Sequence, residues 1–133
     1  MAGTVRRTDH FCMPGDRTLL IVEDNMSVCA AIRSYMSRYG RWDEVLTAND
    51  AGRGLLLAVE HQPEAIVLDN RMPGGDGIDA LEALRGACPE AIIVMHTSDD
   101  STDIRLAAER LGADAVVSKG RPLDELASFI DVA

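Results

Sequence analysis

The chain has 133 residues, 47% hydrophobic and 26% charged, enough for one domain that buries its own core without staples. Its formal net charge of −9 leaves no basic footprint of the kind that direct nucleic-acid binding needs. No apolar run reaches the ~18 residues that span a bilayer, and Cys12, Cys29 and Cys88 form no CxxC pair that would indicate a disulfide framework or a zinc site.

Residues 1–16 lack periodicity, contain the turn signal Pro14-Gly15 and carry no apolar signal core. They are expected to form a flexible leader to a domain covering 17–133, in a cytoplasmic protein with no membrane segment. The run Thr18-Leu19-Leu20-Ile21-Val22 reads as a buried strand that ends in Glu23 and Asp24. Val28, Ala31, Ile32, Tyr35 and Met36 then recur at i, i+3, i+4, i+7 and i+8, the pattern of an amphipathic helix, which Gly40 stops. A weaker strand is expected over 44–47. A helix over 51–61 is barred from continuing by Pro63. The third strand, 65–69, ends in Asp69. Residues 72–77, with one proline and three glycines, read as a loop. Ile78, Leu81 and Leu84 mark a third helix, and 91–95 a fourth strand that leads to Thr97-Ser98. Ile104, Ala107, Ala108 and Leu111 mark a fourth helix, ending at Gly112. The fifth strand, 115–118, leads to Lys119. Leu123, Leu126, Ala127 and Ile130 mark a last helix, with Pro122 suited to its first turn. No second domain is expected after it.

Strands alternating with helices predict an α/β fold: a five-stranded parallel sheet, doubly wound as (βα)5 and flavodoxin-like, with right-handed crossovers. The carboxyl ends of the strands in such a sheet form a ligand crevice. Glu23, Asp24, Asp69, Thr97 and Lys119 all fall at that edge. Three carboxylates in one crevice repel one another unless protons or a cation intervene, and a hard divalent ion suits oxygen donors. Each residue alone has a plainer reading. Asp69 would be a cap, Lys119 a solvated lysine, Thr97 a cap of the fourth helix, and Glu23-Asp24 acids that favour a helix start. Their joint placement points to chemistry. His10, His61 and His96 have no acidic partner at triad spacing and read as ordinary residues, with His96 at a strand end beside the site.

With these residues in place, the chain resembles a bacterial response-regulator receiver domain over about 18–132. The matching pieces are Val22-Glu23-Asp24-Asn25, Leu68-Asp69-Asn70-Arg71-Met72-Pro73-Gly74, Gly77, Thr97-Ser98, Gly112-Ala113-Asp114 and Ser118-Lys119-Gly120. The resemblance implies a phosphorylation-dependent signalling switch. Asp69 would accept a phosphoryl group from a phosphohistidine on a sensor histidine kinase or a histidine phosphotransfer protein. Glu23 and Asp24 would be the metal-binding acid pair, Thr97 the phosphate-sensing hydroxyl and Lys119 the phosphate-binding lysine. Mg²⁺, or Mn²⁺, would take oxygens from Asp24, Asp69 and the backbone carbonyl of Arg71, with Glu23 acting through water. A downstream protein partner is implied at the face of the fourth helix, fifth strand and fifth helix, with a homodimer on phosphorylation. Simple chemistry agrees: phosphoryl transfer needs positioned charge, which a lysine and a hydroxyl supply.

Two positions depart from the family's pattern. Val116 stands three residues before Lys119, where an aromatic switch residue is usual, and a valine cannot swing a ring. Gly120 stands where proline often follows the lysine. A cis Lys119–Gly120 bond would be costly without that proline. The Ser-Lys-Gly form resembles the branch with helix-turn-helix output domains. Arg71 and Asp99, each two residues past a site residue, are predicted to overhang the phosphoryl site and to pair across it. Three rival readings remain. A phosphohydrolase with an aspartate nucleophile would carry a second acid where Arg71 stands. A pseudo-receiver scaffold that is never phosphorylated would not need the full residue set. A nucleotide-binding relative would need a Gly-rich loop after strand one, where Glu23-Asp24 stands.

Overall fold

The computed structural model describes residues 17–72, 75–99 and 101–130, apart from the side chains of residues 72, 75 and 76. The expected leader, with His10 and Cys12, and the Pro73-Gly74 part of the expected loop lie outside the described residues. The strands are β1 (Thr18–Val22), β2 (Glu44–Ala48), β3 (Ala65–Asp69), β4 (Ile92–Thr97) and β5 (Ala115–Ser118). The helices are α1 (Met26–Tyr39), α2 (Ala51–His61), α3 (Gly77–Ala87), α4 (Thr102–Arg110) and α5 (Leu123–Ile130). The strands pair in parallel in the order β2-β1-β3-β4-β5, the doubly wound, flavodoxin-like sheet that the alternation predicts.

The pleat sends alternate residues to opposite faces. Leu20, Val22, Ile66, Leu68, Ile93 and Met95 face one apolar layer, which Ala58 of α2, Leu81 and Leu84 of α3 and Ala108 of α4 complete. Leu19, Ile21, Val67, Val94 and Val117 face the other, closed by Ile32 and Met36 of α1 and by Leu126 and Ile130 of α5. A fully buried aliphatic side chain contributes about 1.5–3 kcal/mol, so the two layers fix which helices cover which face. The α1 stripe is narrower than its periodicity predicts: Ile32 and Met36 are buried, while Ala31 is exposed. A single edge of the helix meets the sheet, and Ala31 lies outside that contact.

Boundaries differ from expectation at a few places. β1 stops at Val22, so Glu23 projects beyond the ladder, and β4 runs from Ile92 to Thr97 rather than over 91–95. Between β3 and α3, where a loop is expected, Arg71–Met72 pairs antiparallel with Gly75–Asp76. Side-chain caps start three helices: Asn25 accepts from Val28 N at 3.0 Å, Asp50 from Arg53 N at 2.7 Å and Ser101 from Ile104 N at 3.4 Å. Arg85 of α3 clasps the turn before β5. Its Nη2 donates to Gly112 O at 2.7 Å and lies 2.9 Å from Asp114 Oδ2, and its Nη1 donates to Ala91 O at 2.7 Å. Gly112 has φ +112°, and a Cβ there would stand 2.8 Å from Arg85 Cγ, so glycine is required twice over.

Candidate functional site

The site forms at the carboxyl edge of the sheet, over the adjacent ends of β1 and β3 and the end of β5 beyond β4. Glu23 leaves the tip of β1 and is 2% exposed, and Asp69 closes β3 at 4% exposed. Asp24 stays exposed. One carboxylate oxygen from each of Glu23, Asp24 and Asp69 lies within 4.8 Å of the other two. Lys119, one residue past β5, reaches into this cluster. Its Nζ is 3.0 Å from Glu23 Oε1 and 3.2 Å from Asp69 Oδ1. The fold closes the separation of 96 residues between Glu23 and Lys119 by placing both at the carboxyl edge of one sheet, where the lysine side chain reaches across to the acid.

The electrostatics follow from burial and from this pairing. Burial raises the Glu23 pKa to about 7, aided by its hydrogen bond to Asp69 and opposed by Asn25 N and by Lys119. Burial pulls the Lys119 pKa down, but the hydrogen bond to Glu23 and the attraction of Asp69 and Glu23 outweigh it and leave the net shift upward. Lys119 is therefore a fixed cation at the base of the cluster. Glu23 Oε1 is buried with no hydrogen-bond donor of its own, although it faces the Lys119 charge. Three convergent hard oxygen donors, one of them short of a donor, fit a divalent cation.

Backbone holds the acceptor strand in place. Arg71 N donates to Asp69 Oδ1 at 3.3 Å. Gly77 N donates to Asn70 O at 2.6 Å, and a Cβ on Gly77 would overlap Asp69 O and stand 2.7 Å from Asn70 Cα. Glycine at position 77 is thus a close-approach requirement beneath the carboxylate, a reason that the motif alone did not supply.

Thr97 ends β4 and is 1% exposed. Its Oγ1 accepts from Asp99 N at 2.9 Å and donates to Asp99 O at 3.3 Å. It does not cap α4; Ser101 does. Lys119 N donates to Thr97 O at 2.8 Å, which ties the two residues together through the backbone. Arg71 Nη2 lies 3.6 Å from Asp99 Oδ2, with the arginine side chain 76% exposed. The expected ion pair between Arg71 and Asp99 is present. Val116 is 7% exposed and packs in the layer with Met95, and its carbonyl accepts from Arg105 Nη1 at 3.1 Å. No cis peptide occurs among the described residues, Lys119–Gly120 included.

Sequence reasoning placed the acids, the hydroxyl and the lysine at one edge, and Glu23 and Asp69 are in contact with the lysine, with Asp24 beside them. It missed the character of His96. This residue is 3% exposed, pairs in register with Asp69, and has no partner for either ring nitrogen. Burial first, then repulsion from Lys119, lowers its pKa to about 4, so it is a neutral imidazole beside the charged cluster. Its place between Met95 and Thr97 on a buried strand was the available signal. Cys88 lies just past the end of α3, buried, with Sγ 3.5 Å from Ala58 O.

The model of the response regulator receiver domain matches residues 19–131. Among curated proteins, the transcriptional regulatory protein KdpE of Mycobacterium tuberculosis is 32% identical over 115 residues, which are 86% of this chain and 50% of that protein. The KDP operon transcriptional regulatory protein KdpE of Escherichia coli is 34% identical over 115 residues, with the same coverage. The chain spans about half the length of these relatives. Among solved structures, a response regulator from Burkholderia pseudomallei, with a phosphorylated aspartic acid, a calcium ion and citrate, superposes with TM-score 0.81 at 22% identity. That match covers 88% of this chain and 68% of that one. A CheY-like receiver domain from Methanospirillum hungatei gives TM-score 0.79 at 24% identity over 85% of this chain and 89% of its own. At such identities these two structures speak for the fold.

Proposed function

Given that the chain belongs to the response regulator receiver domain family, we propose that Asp69 is the phosphoacceptor of a phosphorylation-dependent signalling switch. The observation that carries this reading is the contact of Lys119 Nζ with both Asp69 Oδ1, at 3.2 Å, and Glu23 Oε1, at 3.0 Å. The donor is a phosphohistidine on a sensor histidine kinase or a histidine phosphotransfer protein. An oxygen of the Asp69 carboxylate forms the new bond to phosphorus as the phosphorus–nitrogen bond breaks. The histidine keeps the electron pair and takes up a proton. Lys119 offsets charge on one equatorial oxygen and holds the carboxylate in place.

Mg²⁺ or Mn²⁺, held by Asp24, Asp69 and the backbone carbonyl of Arg71 with Glu23 acting through water, would neutralise charge on the phosphoryl oxygens. Thr97, now bonded to the Asp99 backbone, would turn its hydroxyl to a phosphoryl oxygen once about −1.5 to −2 charges arrive on Asp69. That exchange biases the loop after β4 and passes the signal to the face of α4, β5 and α5. A downstream partner, or a second copy of the chain, would read that face, in a cytoplasmic setting. Among the described residues no helix is long and apolar enough to cross a membrane. The chain turns over no external substrate, because Arg71 stands where an acid-base carboxylate would be needed.

The test is incubation with Mg²⁺ and a small phosphodonor such as acetyl phosphate, followed by intact mass. Wild type gains one phosphoryl group and Asp69→Asn gains none. No gain by wild type would favour the scaffold reading, and equal gain by both would put the phosphoryl group on a residue other than Asp69.

A further inference from the structure

A groove of about 930 Å³ runs beside α1, between its outer side and the segment that joins β2 to α2. It sits at the β2 edge of the sheet and shares only Glu23 with the acid cluster. Arg33 and Arg38 of α1 and Arg53 of α2 line it. Among the described residues none of the three has an ion-pair partner, and the nearest structured contact is Arg38 over the Tyr39 ring at 5.6 Å. The chain has 22 acidic and 13 basic residues, so three unpaired guanidiniums around one hollow run against its overall charge. Arg53 stands in the first turn of α2, where a cation opposes the helix dipole; Asp50 caps that end through Arg53 N and leaves the guanidinium unpaired. Among the described residues the one carboxylate in the lining is Glu23, and Lys119 already holds it.

We propose that this groove binds a small organic phosphate ester of nucleotide size. Guanidinium forks match phosphate oxygens two at a time. Ser34, Ser37 and Asn49 supply neutral hydrogen-bonding groups, and Ala30, Ala48 and Cys29 supply an apolar floor for the rest of the molecule. The volume falls in the roughly 300–1,000 Å³ range of small-molecule sites, so inorganic phosphate would leave most of it empty. A nucleic-acid strand would extend past the arginines and meet the field of a chain with net charge −9, whereas a small ester meets only the local cations. The inference is independent of Asp69 chemistry.

The experiment is a titration of isotope-labelled full chain by NMR, in EDTA so that no metal bridges the ligand to the acid cluster. The probes are ATP, tripolyphosphate and adenosine. ATP is expected to move the amide signals of residues 33, 34, 37, 49 and 53, and to bind at least about tenfold more tightly than either fragment. The Arg33→Gln/Arg53→Gln double variant is expected to weaken ATP binding about tenfold while melting at the wild-type temperature. If that variant melts early, Arg33→Lys and Arg53→Lys, which keep the charge and lose the fork, are each expected to weaken ATP binding several-fold. Absence of shifts up to about 10 mM ATP, shifts confined to residues 23, 69 and 119, undiminished binding by the arginine variants, or tighter binding of a poly-glutamate peptide at the same residues would each overturn the proposal.

Discussion

The acid cluster and the neighbourhood of Val116 lie two strands apart and are built in opposite ways. At the cluster, charged groups from β1, β3 and the end of β5 are buried and held within about 3 Å of Lys119. At Val116 the side chain is packed into the apolar layer and only its backbone carbonyl is engaged, by Arg105. One region is poised to change charge. The other has no side chain that can move from buried to exposed without leaving a hole. The contrast separates the chemistry at the acid cluster from the packing at position 116: the cluster is complete without an aromatic ring there, and Val116 is engaged only through its backbone carbonyl.

The strongest way to break this separation is Lys119→Met. Removing the preorganised cation is expected to slow phosphorylation by roughly 100-fold, as loss of one charge-stabilising group commonly does. A rate within a factor of two of wild type, measured by quench and intact mass, would mean that the lysine contact is structural only. Gly77→Ala tests the backbone under the same cluster. Its Cβ would overlap Asp69 O, so a loss of about 2–3 kcal/mol in urea unfolding is expected, with slower phosphorylation because Asp69 must move.

The pH dependence of the metal-free protein sharpens the picture of the cluster. Glu23 has its folded pKa raised from 4.5 to about 7, so its stabilising contribution is complete below 4.5 and is lost as pH rises through 7. His96 has its folded pKa lowered from 6.5 to about 4, so its contribution is complete above 6.5 and is lost as pH falls through 4. Between those limits the two run in opposite directions. Wild type in EDTA is expected to keep a nearly constant urea midpoint from pH 7 to pH 5. Glu23→Gln leaves the histidine alone and is expected to lose stability on acidification, by up to roughly 2 kcal/mol. His96→Met is expected to gain stability over the same range. Parallel pH profiles for all three proteins would refute the opposed shifts.

On the readout side, Val116→Tyr overpacks a filled layer, and about 1–2 kcal/mol of destabilisation is expected, with a phosphorylation rate within about twofold of wild type. A large change in rate would show that the two regions are coupled through β5. The smallest effect belongs to Arg71→Ala. Its ion pair with Asp99 is long and exposed, worth under about 1 kcal/mol. Phosphoryl-Asp69 is expected to decay a few-fold faster without the arginine over the site, and an unchanged half-life would discard that role.

Much of the fold was legible because element type is encoded locally. Short continuous apolar runs and the 3.6-residue stripes on α4 and α5 name their elements without reference to the rest of the chain, and Asp50, Ser101 and Asn25 cap helices by contacts three residues away. The short ladder of Arg71–Met72 with Gly75–Asp76 was not legible. Its glycines carry turn chemistry and no hydrophobic alternation, so nothing in the pattern marks two-residue pairing. The narrow contact of α1, which leaves Ala31 exposed, was also hidden, because helical spacing gives a face but not its width.

The sequence by itself determined that carboxylates, a hydroxyl and a lysine stand at strand ends, since strand termini are set by nearest neighbours. Only the tertiary structure decided that Lys119 lies between Glu23 and Asp69, that His96 is buried without a partner, and that Arg33 and Arg53 share a hollow. These depend on strand order and on which helix covers which face. Such distances arise from packing a whole sheet, and so do the desolvation and charge pairing that set the protonation of Glu23, Lys119 and His96.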